Sequence, residues 1–320
     1  MRVLQRLHLP AFKNSMVNIN YGNKVVQWIT LALLAITWGS SFILMKKGLE
    51  YFSPQEVAAY RISVATLVLL PFSLPNLSVL SKNWRPLLIA GLFGNGIPAF
   101  LFAIAQTEIP SSLSGILNSL TSLFTLAIGI IFFRVAFLRF QILGVIAALI
   151  GALGLIGFGS LTEFGTYAKY ASLVVIASAC YGIAVNIIKY YLHDIKPAQI
   201  TSLSFLLIGP PVAIYLFSTT DFITTASTKP DALWGVFYLS ILGIVGTAIA
   251  VIIFNRLIKE TTAVFASSVT YLIPVVALTW GVFDGEQISL EQVAYMAIIL
   301  VGIFLINSSA PGRFFNRIFR

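Results

Sequence analysis

Long apolar runs separated by short charged segments set the pattern of this chain. Ten stretches of at least 19 residues contain no Asp, Glu, Lys or Arg: 25–45, 62–81, 86–107, 109–133, 140–162, 170–188, 197–220, 232–255, 261–283 and 292–312. One membrane-crossing helix takes about 20 apolar residues. Because the runs are continuous rather than alternating, they favour α-helices over barrel strands. The pattern predicts an all-α membrane protein with ten transmembrane helices.

The composition excludes a large soluble domain. Hydrophobic residues make up 58% of the chain, charged residues only 10%, and the mean hydropathy is +0.93. Soluble domains carry about 25% charged residues, which they need to cover a surface in contact with water. The short connectors leave no room for such a domain, so we expect lipid to surround most of the chain.

The positive charges fall on one side of the predicted membrane. With the N-terminus placed in the cytoplasm, the inner segments hold 15 Lys and Arg residues, the outer segments hold 4, and Arg61 lies within the second stretch. Cytoplasmic loops are the ones enriched in Lys and Arg. The bias predicts a multi-pass protein of the cytoplasmic (inner) membrane, with segments 1–24 and 310–320 in the cytoplasm. It also explains the net charge of +9 without nucleic acid as a partner.

The two halves of the sequence repeat each other. At an offset of 143, Trp38-Gly39, Lys46 and Pro54 match Tyr181-Gly182, Lys189 and Pro197; at an offset of 151, Gln141 and Gly151 match Gln292 and Gly302. We expect two repeats, 25–162 and 168–309, of five helices each. Five is odd, so the second repeat must be inverted. Inverted repeats suit alternating access around a site near the middle of the membrane.

Several motifs resemble those of one transporter family. They are Trp38-Gly39-Ser40-Ser41-Phe42 with Lys46, Pro54 before Tyr60-Arg61, the stretch from Thr107 through Ser114, Leu117 and Phe124, and Thr261 to Pro274 followed by Gly285-Glu286. Together they resemble the EamA domain of the drug/metabolite transporter superfamily over residues 25–310. The resemblance implies ten helices in two EamA repeats, a central cavity, and transport, often export, of amino acids or other small metabolites. The family's Gly-Glu before the fifth helix is Phe133-Arg134 here, so no acid role transfers to the first repeat.

Charged residues within the predicted spans are the first candidates for a functional site, because a charge in hydrocarbon is costly. Arg61 is the clearest case; it either anchors a substrate carboxylate or is structural, through loop carbonyls or the membrane surface. Lys46 and Lys189, near span ends, are candidate gates or anion contacts, or else interfacial anchors. No carboxylate lies deep in a span. Proton-driven carriers commonly use a buried one, so we expect facilitated diffusion.

Uncharged polar and aromatic residues supply the rest of the predicted substrate site. These residues are Trp38, Ser41, Asn95, Asn118, Tyr181, Asn186, Asn255 and Tyr271. The alternative for each is a hydrogen bond between helices. Gly94, Gly96 and Pro98 around Asn95 predict a bent or locally open helix, as transporters use at their sites. A cavity with aromatic walls and amide donors suits amino acids or amphipathic metabolites better than bare ions.

Other classes of protein fit the sequence less well. A membrane channel is the first alternative, but no selectivity ring of charges is visible. An integral-membrane enzyme would need a catalytic constellation within the spans. We expect no enzymatic activity, no cofactor and no metal; Cys180 is the single cysteine, so no intramolecular disulfide forms. Apart from lipid and a small-molecule substrate, a homodimer is one partner arrangement that the sequence allows.

Overall fold

Every regular element of the described chain is a helix. A computed structural model describes residues 23–136, 139–156 and 164–307, and no strand occurs within those ranges. The first half contains α1 Lys24–Leu49, α2 Pro54–Ser73, α3 Leu77–Gly91, α4 Ile97–Ala105, α5 Ser111–Asn118, α6 Thr121–Phe133 and α7 Arg139–Ile156. The second half contains α8 Phe164–Tyr191, α9 Pro197–Thr219, α10 Phe222–Thr228, α11 Ala232–Gly243, α12 Ala250–Glu260, α13 Ala263–Ser267, α14 Ile273–Phe283 and α15 Leu290–Asn307.

Local chemistry explains where several helices begin and end. Ser53 starts α2 with a capping box, in which its hydroxyl accepts from the Glu56 backbone N–H and the Glu56 carboxylate accepts from the Ser53 N–H. Pro54 follows at the first helical position, where its missing N–H costs nothing. Arg134 ends α6 in a left-handed conformation at φ 54°. These signals put the helix boundaries close to the charged connectors of the sequence.

Seven helical segments are long and apolar enough to cross a membrane: Lys24–Leu49, Pro54–Ala105, Ser111–Phe133, Ala168–Tyr191, Pro197–Thr219, Ala232–Glu260 and Ala263–Phe283. Two shorter apolar helices, Gln141–Ala152 and Leu290–Gly302, accompany them. The prediction of an all-helical protein is therefore confirmed for the described residues, and seven of their helical segments are candidate membrane spans. Large apolar side chains point outward, with Phe132 73% and Leu67 69% exposed, as expected of a surface that faces lipid.

The longest of these segments is broken. Pro54–Ala105 has 52 residues and would measure about 78 Å as a straight helix, more than twice the hydrocarbon thickness. A 3-10 turn at Leu74–Asn76 and a non-helical residue, Asn83 at φ −127° and ψ 20°, interrupt it. A chain with these interruptions can turn back before crossing again.

Two π-helical turns lie inside the bundle, at Leu92–Gly96 and Ile244–Ile249. Pro98 follows the first, and since proline has no N–H it cannot bond the carbonyl of Gly94. In the second, the Thr247 hydroxyl donates to the Leu242 carbonyl at 2.9 Å, five residues back. Such turns leave carbonyl groups open to other donors and are frequent at functional sites.

Close helix contacts depend on glycines on the packing faces. A Cβ at Gly302 would lie 2.5 Å from the backbone N of Ala148, where α15 meets α7. A Cβ at Gly209 would lie 2.0 Å from Thr66 Oγ1, where α9 meets α2. Both contacts join a helix of the first half to one of the second. Small residues allow this close approach, which is how helices in membranes gain packing energy.

Candidate functional site: a cavity shared by the two halves

A cavity lies at the centre of the bundle, with walls from both halves of the chain. Its volume is about 110 Å³. A single buried water needs about 10–15 Å³ of such space, so the cavity suits a small metabolite. The first half contributes from α1 to α6, and the second half contributes α8, α9 and the segment from α12 to α14.

Aromatic rings form much of the wall. The Trp38 ring meets Phe254 edge to face, with centroids 4.9 Å apart. Phe102 contacts Phe42 at 5.6 Å and Tyr181 at 6.0 Å. These pairs join the halves at two points, Trp38 to Phe254 and Phe102 to Tyr181. Such pairs fix ring orientation beyond simple area burial, so the wall presents fixed apolar surfaces.

Three predicted site residues line the cavity and each donates a hydrogen bond to the protein. Trp38 Nε1 donates to the Gly246 carbonyl at 2.9 Å, within the second π turn. The Ser41 hydroxyl donates to the Thr37 carbonyl at 2.9 Å. Asn255 Nδ2 donates to the Thr201 hydroxyl at 2.9 Å. These side chains thus contact the protein as well as the cavity and help to fix the shape of the wall.

Two other amides in the wall, Asn95 and Asn118, have weaker hydrogen bonding to the protein. Asn95 lies in the first π turn, and no described residue forms a hydrogen bond with its side chain. Asn118 ends α5, and its Oδ1 accepts only a long bond of 3.4 Å from the Thr121 hydroxyl. In a low-dielectric interior an unpaired amide is costly. Both side chains are therefore available to a polar ligand.

Arg61 brings a full positive charge to the same cavity. It is only 9% exposed, and its Nε donates to the Thr247 hydroxyl at 2.7 Å. The Tyr181 hydroxyl is a second polar neighbour of the guanidinium group. Among the described residues that line the cavity, Arg61 is the one charged side chain. Thr247, which holds its guanidinium group, had no signal in the sequence beyond a polar residue in an apolar run.

Two of the uncharged residues predicted for the site lie outside the lining. Asn186 is 1% exposed, and its Nδ2 donates to the carbonyls of Thr125 and Gly182, both at 2.9 Å. Tyr271 is half-buried and forms a hydrogen bond with Ser122. The structure thus gives both side chains protein partners. In contrast, Phe102 and Phe254 belong to the wall although sequence reasoning did not single them out.

The comparison with protein families decides the identity of the fold. The sequence profile of the EamA-like transporter family matches residues 26–157 and again residues 168–308. This chain belongs to the EamA-like transporter family. The match covers most of the chain and occurs twice.

Curated relatives of this EamA-like transporter are transporters by name. An uncharacterized transporter of Archaeoglobus fulgidus is 23% identical, over 88% of this chain and 98% of its own length. A protein of Salmonella typhimurium named as a probable amino-acid metabolite efflux pump is 25% identical, over 85% of this chain and 92% of its own. A crystal structure of 17% identity has a TM-score of 0.63 and covers 90% of this chain and 97% of that one, which shows a shared fold.

The Gly285-Glu286 motif of this EamA-like transporter belongs to a charge cluster at one end of the bundle. Lys46 Nζ lies 2.7 Å from Asp284 and 2.9 Å from Glu286, and Lys47 Nζ lies 2.9 Å from Asp284 and 2.8 Å from Glu50. We call these five residues (Lys46, Lys47, Glu50, Asp284 and Glu286) the Lys46 cluster. It ties α1 to the connection between α14 and α15, outside the cavity.

Glu286 also holds the start of α5. Its carboxylate accepts from the backbone N–H groups of Ser111 at 3.0 Å and Ser112 at 3.2 Å, and from the Ser111 hydroxyl at 2.8 Å. Burial raises the pKa of Glu286, but bonds from Ser112, Lys46 and Ser111 outweigh it and hold the pKa below its ordinary value. Burial likewise raises the pKa of Asp284, and Lys46 and Lys47 bring it below the ordinary value. Both acids are therefore ionised at neutral pH.

Lys189 occupies the corresponding position at the end of α8 but has different partners. Its ammonium donates to the carbonyls of Ile258, Lys259 and Thr261, at the C-terminal end of α12. A cation is favoured there because the last carbonyls of a helix carry partial negative charge. Lys46 and Lys189 thus both hold bundle ends, the first through carboxylates and the second through backbone.

Proposed function

We propose that this chain is a carrier of small amphipathic metabolites, with amino acids as the leading class, that works in the cytoplasmic membrane by alternating access. One observation carries the proposal: the two halves share a cavity whose wall combines aromatic rings, the amides of Asn95 and Asn118, and a buried guanidinium group. Cavities of this mixed kind bind small molecules. The name of the Salmonella typhimurium relative supports amino acids as the substrate class.

We further propose that the chain forms ten spans in two inverted repeats, the arrangement that this mechanism needs. Dividing Pro54–Ala105 at its 3-10 turn gives eight spans from the seven long segments, and α7 and α15 bring the number to ten. The halves share the same irregularities. In each, a π turn interrupts one span, and a short helix, α5 or α13, opens the next. Two similar five-helix units of opposite orientation can open in turn to opposite sides.

The two lysines indicate how the ends could open in turn. Lys46 closes its end through ion pairs with Asp284 and Glu286, and Lys189 closes the other end through backbone carbonyls. We propose that each contact breaks when the cavity opens at that end. Lys46 and Lys189 then act as gates rather than as direct substrate contacts.

Counterflow in proteoliposomes tests the proposal. Vesicles loaded with unlabelled L-leucine, L-phenylalanine or another metabolite from a panel are diluted into the radiolabelled compound. A carrier accumulates label transiently and saturates; flux that never saturates would indicate a channel. Repeating the assay with and without a pH gradient tests the expectation of facilitated diffusion, which predicts no effect of the gradient.

Variants link the transport to the cavity. Trp38→Ala, Asn95→Ala and Tyr181→Ala should each reduce transport about ten-fold, because a few central residues dominate binding and a loss of about 1.4 kcal/mol is a ten-fold change. Trp234→Ala is the matched control, since Trp234 is 55% exposed and lies on α11, outside the wall. Wild-type transport in all three cavity variants would contradict the proposed site.

A further inference from the structure

Arg61 is a buried cation whose described neighbours are neutral. Its Nε donates to the Thr247 hydroxyl, and its other described polar neighbour is the Tyr181 hydroxyl. No Asp or Glu in the described ranges lies within 4.0 Å of its nitrogens. Both hydroxyls orient the guanidinium group without neutralising it.

The other cations near the bundle interior are already paired. Lys46 has Asp284 and Glu286, and Lys189 has three carbonyls at the end of α12. Neither side chain lines the cavity. Of the three cations that the sequence offered as anion contacts, Arg61 alone combines a place in the wall with the absence of an acidic partner among described residues.

Electrostatics favours an anionic ligand at this position. A guanidinium group stays protonated in proteins, so it cannot escape its burial by losing a proton. A buried charge without a counter-ion is strongly unfavourable, and intramembrane charges mark substrate pathways for that reason. With Nε taken by Thr247, the two terminal nitrogens remain, and their planar geometry matches the two oxygens of a carboxylate.

We propose that the cavity binds its substrate by a carboxylate that pairs with Arg61, with Thr247 and Tyr181 holding the guanidinium group in place. This inference rests on the proposed function and names the chemical class that the carrier selects. The apolar part of the substrate packs against the rings of Trp38, Phe102 and Phe254. Asn95 and Asn118 remain for a second polar group, such as the amine of an amino acid.

The proposal predicts discrimination between molecules that differ only at the carboxylate. L-Leucine and L-phenylalanine should compete for transport at least about ten-fold better than L-leucinamide and L-phenylalaninamide, because a charge-assisted bidentate pair contributes more than a neutral bond. The test is inhibition of counterflow in wild-type proteoliposomes. It needs no variant, so it stays decisive even where substitution of Arg61 prevents folding.

Two substitutions locate the preference. In Arg61→Gln the acid and its amide should compete equally, whereas Arg61→Lys keeps the charge and should retain part of the preference. Lys82→Gln is the matched control, because Lys82 is exposed on α3 and lies outside the cavity. Size-exclusion profiles and thermal unfolding establish which variants are folded before transport is compared.

The outcomes separate this inference from the proposed function. Equal competition by acids and amides in the wild type, or a preference unchanged in folded Arg61→Gln, would overturn the role of Arg61 and leave the carrier standing. A wild-type protein that moves none of the acids, amides or other metabolites of the panel would contradict both. Preference for the acids that disappears in Arg61→Gln supports both.

Discussion

Asn95 and Asn186 carry the same side chain in the same kind of apolar segment, yet the structure uses them differently. Asn186 donates to two carbonyls and lies outside the cavity, whereas Asn95 lines the cavity and has no hydrogen-bonding partner among the described residues. The sequence shows only that an amide in hydrocarbon must find a partner. Whether that partner is a neighbouring helix or a ligand depends on tertiary contacts. For this reason the sequence could not show which of the candidate residues face the cavity.

This difference predicts opposite effects of removing the two amides. Asn186→Ala should lower the free energy of unfolding by about 1 kcal/mol, because it removes one hydrogen bond from α8 to α6 and one within α8. Asn95→Ala should leave stability unchanged or slightly higher, and should lower transport. Thermal unfolding of the purified variants in detergent, paired with counterflow, measures both effects. An Asn95→Ala variant that unfolds earlier than Asn186→Ala would contradict the assignment.

Arg61 shows a similar limit at the residue scale. Its charge within an apolar run makes it an obvious candidate. The sequence alone does not decide whether it anchors a substrate or is a structural residue. The structure adds what the sequence could not: the place in the cavity wall and the neutral partners Thr247 and Tyr181. Thr247 is 186 residues and Tyr181 120 residues from Arg61 in the chain, so no local sequence pattern could predict these neighbours.

At the scale of elements, uncharged stretches predicted the helices well and their irregularities less well. The turn signals around Asn95 indicated a locally open helix, and a π turn lies there. The second π turn, Ile244–Ile249, has one glycine, Gly246, and no proline, so the sequence did not predict it. A threonine hydroxyl that competes for a helical carbonyl, as Thr247 does, is common to many regular helices.

Glu286 links the connection between α14 and α15 to α1 and α5, so its substitution should lower the stability of the fold. Glu286→Gln keeps the shape but removes the charge that pairs with Lys46 and accepts from the first N–H groups of α5. We expect the free energy of unfolding to fall by about 2 kcal/mol, since bonds to a charged group are worth more than neutral ones. Glu291→Gln is the matched control because Glu291 is exposed. Thermal unfolding of the two variants measures the difference.

A comparison of wild type with Glu286→Gln also predicts how the stability difference changes with pH. The folded-state pKa of Glu286 lies below its ordinary value of 4.5, so its contribution is fully present above that value and is lost as the pH falls through the folded-state pKa. The stability difference between wild type and Glu286→Gln should therefore stay constant from about pH 8 to about pH 5 and shrink in stronger acid. A difference that disappears already near neutral pH would contradict the pairing with Lys46.

At the scale of the whole molecule, hydropathy, charge bias and internal repetition all point to a membrane carrier, and the family match confirms the transporter family. The match of one profile to residues 26–157 and 168–308 agrees with a duplicated origin of the two halves. The sequence could not predict how the two halves pack together around the cavity. That depends on contacts such as Trp38 with Phe254 and Gly302 with Ala148.

Alternating access around the shared cavity can be tested with a single cysteine. Cys180→Ala removes the natural cysteine, and Ser41→Cys then places one thiol in the cavity wall. A charged, membrane-impermeant thiol reagent is added to one side or the other of uniformly oriented proteoliposomes. A cysteine at exposed Lys82 serves as the control and should react from one side only.

Alternating access predicts that the thiol at position 41 reacts from either side, and that counterflow stops once it is modified. Saturating substrate should slow the reaction from both sides, because substrate and reagent compete for the same cavity. Transport that continues at the wild-type rate after complete modification, or a thiol that reacts from neither side in protein that transports, would contradict it.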